Sequence, residues 1–491
     1  MASRGPGSER HIAIIGSGFS GLCLGIELKK AGIHSFTIFE SADRLGGTWR
    51  DNSYPGAACD LPSMAYCFSF EQRTDWSRKW SPQQEILEYM ENCARKYQLT
   101  PHIRFDTAIA AARFDPEQGR WLLRSSAGDE FEADVLVSGV GQLSRPFTPE
   151  LPGCDRFRGE SFHSARWEHG CDLKGRSVAV IGNAASAIQF VPRIAEEAER
   201  LTIFQRSANW MLPRRDRAYT QREKRRFARY PLLARLYRWK IWLQYELQFP
   251  VFRKNQMLAW LYQRMATDYM RATVSDPALR KILVPDYPIG GKRILISDDY
   301  YQCLERENVH VTTSEIDHLT DDSVVTKSGD EIAVDVVIFA TGFESTEFLS
   351  PMEIQGMEAR SLHEGWKEGA EAYLGITVSG FPNFLMMYGP NTNLGHNSII
   401  FMIECQSRYI VGYIRSLFER SLRYLDLRRE VMDSYNRQLQ EELGRTAWAV
   451  TGRSWYKTEK GKITNNWSGT TLRYWWKTRK VKLGVYRSPS P

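Results

Sequence analysis

The chain has 491 residues, 42% hydrophobic and 25% charged, so it is long enough for two or three domains of an ordinary soluble globular protein. The net charge of +7 is small for this length and does not point to nucleic acid. Residues Met1 to Arg10 are polar and lack the apolar run of a signal peptide, and no stretch reaches the roughly 18 to 20 apolar residues of a membrane span. The eight scattered cysteines form no C-x-x-C pair, and neither a metal site nor a redox dithiol is expected; they read as reduced thiols of a cytoplasmic protein.

The first strand is expected at His11 to Ile15, followed directly by Gly16-Ser17-Gly18-Phe19-Ser20-Gly21 and an amphipathic helix over Leu22 to Lys30. A second strand, Ser35 to Phe39, ends on Glu40. This strand, turn, helix and strand with a closing acid is the full context of a dinucleotide-binding fingerprint. Gly16 permits the tight turn, Gly18 lets backbone approach a pyrophosphate, and Gly21 lets the helix pack on the strand. The helix N-terminus favours the phosphates, and Glu40 can accept from ribose hydroxyls. Next comes Gly46-Gly47-Thr48-Trp49 through Tyr54-Pro55-Gly56 to Asp60, a loop rich in glycine and aromatics of the kind that holds a ligand. Phe19, Gly47, Thr48, Trp49 and Asp60 are assigned to the first cofactor site with Gly16, Gly18, Gly21 and Glu40.

Residues 145–153 form a Pro-rich linker, and Phe157 to Trp167 reads as a loop that hinges the two halves. The fingerprint then recurs at Ser177 to Ile181, Gly182-Asn183-Ala184-Ala185-Ser186-Ala187 and Leu201 to Arg206, with the same spacing of 24 from first glycine to closing residue. Here the closing residue is Arg206, which accommodates a 2′-phosphate where an acid selects a free hydroxyl. The first site therefore suits FAD or NAD and the second NADP(H), with Gly182, Asn183, Ser186, Arg206 and Ser207 assigned to the latter. Ala184 replaces the middle glycine, and its methyl is expected to weaken or displace the nucleotide.

Residues 214–280 read as long helices dense in tyrosine and tryptophan, an insertion expected to wall the substrate pocket. Its basic run, Arg222 to Arg229, is a solvated helix face or, in the sharper reading, a membrane-surface patch that collects lipophilic substrates. Asp335 to Phe343 is a buried strand ending in Thr341-Gly342 and is expected to mark the return into the first domain. Gly389 to Asn397 follows an apolar strand and is expected near the first cofactor, with His396 as a hydrogen-bonding loop residue rather than an acid or base.

Two long motifs carry a resemblance. F-x-G-x-x-x-H-x-x-x-W is met at Phe157, Gly159, His163 and Trp167, and G-G-x-W-x4-Y-P-G-x3-D at Gly46, Gly47, Trp49, Tyr54, Pro55, Gly56 and Asp60. On these the sequence resembles the class B flavoprotein monooxygenases, specifically the type I Baeyer–Villiger monooxygenases. Relatives that oxidise nitrogen or sulfur usually carry Tyr at the Trp167 position. Glu168 and Ala184 depart from the family pattern. The resemblance implies FAD in the first site, NADPH in the second, and oxygen insertion beside a ketone carbonyl through a C4a-peroxyflavin, giving an ester or lactone. It also implies that Arg293 stabilises the peroxide anion, that Asp60 orients Arg293, that Lys292 contacts the 2′-phosphate, that His163 and Trp167 couple the domains, and that Trp455 closes over NADP.

The fold class expected is α/β with two Rossmann-like dinucleotide-binding domains. An FAD-binding part spans 1–144, an NADPH-binding domain 145–335 with its helical insertion at 214–280, and the rest of the FAD domain 336–491. The partners are O2 and a ketone, bulky or long-chain and apolar from the aromatics of the insertion, with peripheral membrane contact as an option. Two other readings remain open: an oxygenase of sulfur or nitrogen, and a non-catalytic FAD/NADP-binding redox module.

Overall fold

The computed structural model describes residues 10–253, 256–452 and 454–489; the leader reading of Met1 to Arg10 thus falls almost wholly outside the described residues. Two five-stranded parallel sheets organise the chain. The first comprises β1 (Ile12–Ile15), β2 (Phe36–Phe39), β3 (Ile103–Arg104), β4 (Val135–Ser138) and the distant strand Phe384–Met386. In space the order is Phe384–Met386, β4, β1, β2, β3, with Ile12 flanked by Phe36 and Val135. All four residues of β1 are buried, as expected of a central parallel strand covered on both faces. The helix α1 (Phe19–Lys30) starts three residues earlier than its apolar periodicity suggests, because the glycine turn runs straight into it.

The second sheet comprises β5 (Glu160–His163), β6 (Ser177–Ile181), β7 (Arg200–Phe204), β8 (Val309–Thr312) and β9 (Val336–Phe339), in the order β8, β7, β6, β9, β5. Two expectations are corrected here. The strand at Val336–Phe339 does not mark the return into the first sheet: it pairs with β6 on one side and β5 on the other, fully buried, so the crossing follows Phe339. The stretch from Phe157 to Trp167 is not simply a linker loop either, since Glu160–His163 is the edge strand of this sheet, with His163 opposite Phe339.

After β6 comes α2 (Ala187–Ile194), and between β7 and β8 the insertion contributes α3 (Gln221–Arg229), α4 (Pro231–Glu246) and α5 (Met257–Thr273). Thr220 and Glu223 close a reciprocal capping box on α3, satisfying two amides that the helix start leaves without partners. α4 leaves the second sheet altogether: Ala234 and Ile241 are buried in the core of the first, and Arg238 donates to the carbonyls of Met64 and Cys67 at 3.2 and 2.8 Å. The long helix α6 (Ile399–Glu419) packs on α1, and α7 (Thr471–Thr478) packs on α6. All eight cysteines are free thiols, and no helix among the described residues is long and apolar enough to cross a membrane.

Candidate active site

Both glycine turns are demanded by close backbone approaches. Gly16 has φ +98°, and a Cβ there would sit 2.8 Å from the Gly139 carbonyl oxygen; Gly182 has φ +109°, with Ala340 O at 2.4 Å. No side chain larger than hydrogen fits either position in that backbone. A Cβ on Gly21 would fall 1.9 Å from Gly16 O, so this glycine sets how tightly α1 packs and does not border the cavity. Gly18 differs, since its only near neighbour is the Cα of Gly47, itself at φ +52°. Two bare backbone loops therefore face each other at the N-terminus of α1, a cradle that suits a pyrophosphate.

A cavity of about 1700 Å³ runs from this cradle across to the second sheet. It is bordered by Gly16, Gly18, Phe19, Glu40, Gly47, Thr48, Trp49 and Asp60 from the first motif set. From the second come Gly182, Asn183, Ser186, Arg206, Ser207, Lys292 and Arg293, and Trp455 also borders it. Two fingerprints separated by 166 positions thus open onto one space.

Glu40 is buried and held on both oxygens. Oε2 accepts from the Ser17 amide at 2.9 Å and hydroxyl at 2.7 Å, and Oε1 from the Ala42 amide at 3.1 Å and Arg50 at 2.9 Å. Burial alone would raise its pKa; the Ser17 bonds and the Arg50 charge outweigh that and keep it below the usual carboxylate range. Arg50, directly after Trp49, was missed in sequence although its place in the motif pointed to it.

At the other end Lys292 Nζ donates to Ser207 Oγ at 2.7 Å, beside Arg206. Burial and the Arg206 charge lower the Lys292 pKa. Neither cation has a carboxylate within ion-pair range among the described residues. Two unneutralised cations and a hydroxyl are a donor set that would suit a dianionic phosphate. Ala184 is exposed at the cavity wall, and Asn183 donates to Gln205 Oε1 and Ser207 O at 2.9 and 3.0 Å.

Between these ends, Arg293 donates through Nη2 to Asp60 Oδ2, and both side chains are about one-third exposed, toward the cavity. Burial would lower the guanidinium pKa, but Asp60 more than compensates and holds the charge. Arg214 donates to Cys59 O at 2.9 Å, fixing the backbone beside Asp60. Tyr388, also on the wall, donates to Asn393 Oδ1 at 2.7 Å.

Sequence reasoning also missed Gln189 of α2, which locks the two halves. Its Oε1 accepts from Tyr54 OH at 3.1 Å and the Ala58 amide at 3.2 Å, and its Nε2 donates to Ala58 O at 3.0 Å. Nothing local in the sequence marks it.

The residues Phe157, Gly159, His163 and Trp167 do not border the cavity. A Cβ on Gly159 would meet Asp335 O at 2.3 Å, so the glycine lets Phe157 fold back on the sheet edge. His163 Nδ1 accepts from the Ala165 amide at 3.0 Å, and burial pushes its pKa down to about 4, so it is a neutral packing residue at ordinary pH. Trp167 packs at 5.2 Å on Phe190 of α2, which in turn packs on Tyr54 at 6.0 Å. The signature thus ends on an aromatic chain reaching the loop that carries Asp60.

The insertion does not wall the pocket as expected. No residue between 210 and 291 borders the cavity among the described residues, since its aromatics pack behind the wall or face outward. His396 is buried between Phe249 and Phe252, with Nε2 3.6 Å from Glu246 Oε2, away from the cavity.

The model of the FMO-like, flavin-binding monooxygenase-like family matches residues 9–351. The chain belongs to this family. The monooxygenase is 43% identical to a Baeyer-Villiger monooxygenase of Streptomyces coelicolor over 98% of this chain and 93% of that one. It is 41% identical to one of Pseudomonas aeruginosa over 98% and 92%. Among solved structures it resembles an oxidized steroid monooxygenase bound to NADP, with TM-score 0.88, 28% identity, and 98% and 99% of the two chains covered. A closed cyclohexanone monooxygenase matches with TM-score 0.88, 26% identity, and 98% and 100% covered. The fold of this monooxygenase is therefore α/β with two parallel sheets, its family is flavin-binding, and the steroid monooxygenase it resembles is bound to NADP. The cradle at Gly18 and Gly47 and the cations at Lys292 and Arg206 fit FAD and NADP(H).

Proposed function

We propose that this chain is an NADPH- and O2-dependent Baeyer–Villiger monooxygenase that inserts one oxygen beside a ketone carbonyl. Bound FAD would supply the redox chemistry, namely acceptance of reducing equivalents from NADPH and activation of O2. The observation that carries the reading is the Arg293–Asp60 pair on the wall between two nucleotide sites. A fixed guanidinium there stabilises negative charge that develops during oxygen transfer. Asp60 keeps the guanidinium plane oriented and protonated. Gly16, Gly18, Phe19, Glu40, Gly47, Thr48 and Trp49 hold FAD. Gly182, Asn183, Ser186, Arg206, Ser207 and Lys292 would hold NADPH, with Trp455 bordering the same space. Trp167, through Phe190 and Tyr54, and Gln189 keep the two halves in register.

The ketone is apolar and bulky or long-chain. Its support is the apolar part of the cavity wall, Leu61, Tyr66, Leu394, Ile399 and Ile403, rather than the aromatics of the insertion. The outward face of the insertion belongs to the same reading as a contact with a membrane surface.

The test is NADPH consumption with and without a panel of ketones, with mass analysis of products. A product heavier by one oxygen with an ester fragmentation pattern is expected. Hydrogen peroxide alone with every ketone, alongside oxygenation of amines or sulfides, would transfer the assignment to heteroatom chemistry. Bound FAD with no turnover would leave a non-catalytic redox module.

A further inference from the structure

Helix α4 is apolar on two opposite sides. One side packs Leu233, Ala234 and Ile241 on the core of the first sheet. On the other, Leu232, Leu236, Trp239, Leu243 and Leu247 recur at helical spacing and remain 50–69% exposed. An apolar helix face is ordinarily covered. The pattern continues on α5 with exposed Met257, Trp260, Leu261 and Met265. It also continues beside α4 on α7, where Leu472 and Trp476 are exposed. α7 is tied to α4 by the Trp242 indole donating to Thr471 Oγ1 at 3.0 Å and the Leu472 amide donating to Glu246 Oε1 at 3.1 Å.

Charge identifies what covers this face. Between Arg214 and Arg280 there are 16 Lys and Arg against 5 Asp and Glu, a net +11 that exceeds the +7 of the whole chain. Arg235 and Lys240 are exposed on α4 alongside the leucines, and Arg225, Arg226 and Arg229 on α3. A second copy docked face to face would set this excess against itself, which like-charge repulsion opposes. An anionic bilayer instead neutralises the cations while its acyl region takes up the leucines, and tryptophans such as Trp239, Trp260 and Trp476 suit the headgroup level.

We propose that the exposed side of α4, extended by α5 and α7 and flanked by basic α3, is an interfacial face that lies on anionic phospholipid bilayers. Its inner side reaches the cavity wall: Asn397, which borders the cavity, donates to Glu246 Oε2 at 2.9 Å and to Trp242 O at 3.3 Å. The bilayer is then the reservoir from which an apolar ketone enters, a consequence that rests on the ketone reading; the binding itself does not.

The full-length holoenzyme is sedimented with vesicles of phosphatidylcholine alone or with about 30 mol% phosphatidylglycerol. Pelleting with the anionic vesicles is expected, at least about tenfold weaker for the L236S/W239S/L243S triple variant and for Arg235→Gln/Lys240→Gln. The substituted positions are exposed, so an unchanged melting temperature and flavin content verify the fold. No pelleting, pelleting unaltered in the triple variant, or a concentration-dependent dimer that the triple variant dissolves would each overturn the proposal. Pelleting reads no turnover, so failure of the ketone reading leaves it standing. Failure of the surface in turn leaves turnover of a dissolved ketone unchanged.

Discussion

Lys292 Nζ donates to Ser207 Oγ at 2.7 Å, joining the segment after the insertion to the residue that follows Arg206 at the end of β7. Neither Lys292 nor Arg206 has a carboxylate within ion-pair range among the described residues, so their charge is available to a 2′-phosphate. Lys292→Ala is expected to raise KM for NADPH about 10- to 100-fold, ~1.4–3 kcal/mol, and to leave KM for NADH within about twofold. Steady-state kinetics with both coenzymes check this. Equal effects on the two would mean that the lysine supports the wall rather than reading the phosphate.

The Arg293–Asp60 pair makes a different kind of prediction, because the proposed role confines it to one half-reaction. Arg293→Ala should reduce ester formation by at least about 10²- to 10³-fold, the size seen when a preorganised charge-stabilising donor is removed. Flavin reduction by NADPH, followed anaerobically by loss of flavin absorbance, should stay within about threefold. Arg293→Lys keeps the charge but loses the planar fork, so it should rescue only partly. Loss of both half-reactions together would place Arg293 in nucleotide binding instead.

Ala184 occupies the position where the first fingerprint has Gly18, and it is exposed on the cavity wall. Its methyl stands where a pyrophosphate would approach the backbone. Ala184→Gly should therefore lower KM for NADPH about three- to tenfold, offset slightly by the flexibility of glycine. An unchanged KM would show that the nucleotide passes clear of this methyl.

What the sequence disclosed follows from the range of the forces involved. The glycine turns were legible because their requirement is local: φ near +100° at Gly16 and Gly182 admits little else. Arg206 and Lys292 were legible as charges, the first by its spacing in the fingerprint and the second through family resemblance. The strand Val336–Phe339 was assigned to the wrong side of the crossing because four apolar residues say nothing about which sheet they pair with. Gln189 was invisible for the same reason, since its partners lie about 131 positions away. The insertion misled because a density of tyrosine and tryptophan does not say which side of a helix is covered, and α4 is apolar on two sides.

Glu246 of α4 carries the last prediction. It is buried, accepts from Thr471 Oγ1 at 2.7 Å, Asn397 Nδ2 at 2.9 Å and the Leu472 amide at 3.1 Å, and faces His396. Burial by itself would raise its pKa, but His396, the Leu472 amide and the Thr471 hydroxyl outweigh that and bring it down to about 2. A carboxylate depressed on folding stabilises the native state above its unfolded pKa, near 4.3, and loses that contribution as pH falls toward the folded value. Glu246→Gln should therefore be destabilised by ~2–3 kcal/mol at pH 7. The difference should hold from about pH 8 to pH 5.5 and begin to shrink by about pH 4. Urea unfolding followed at these pH values measures it. A gap between wild type and variant that widens on acidification would mean that the carboxylate is not the stabilising form, and that α4 is held to α7 by the Trp242–Thr471 bond and packing.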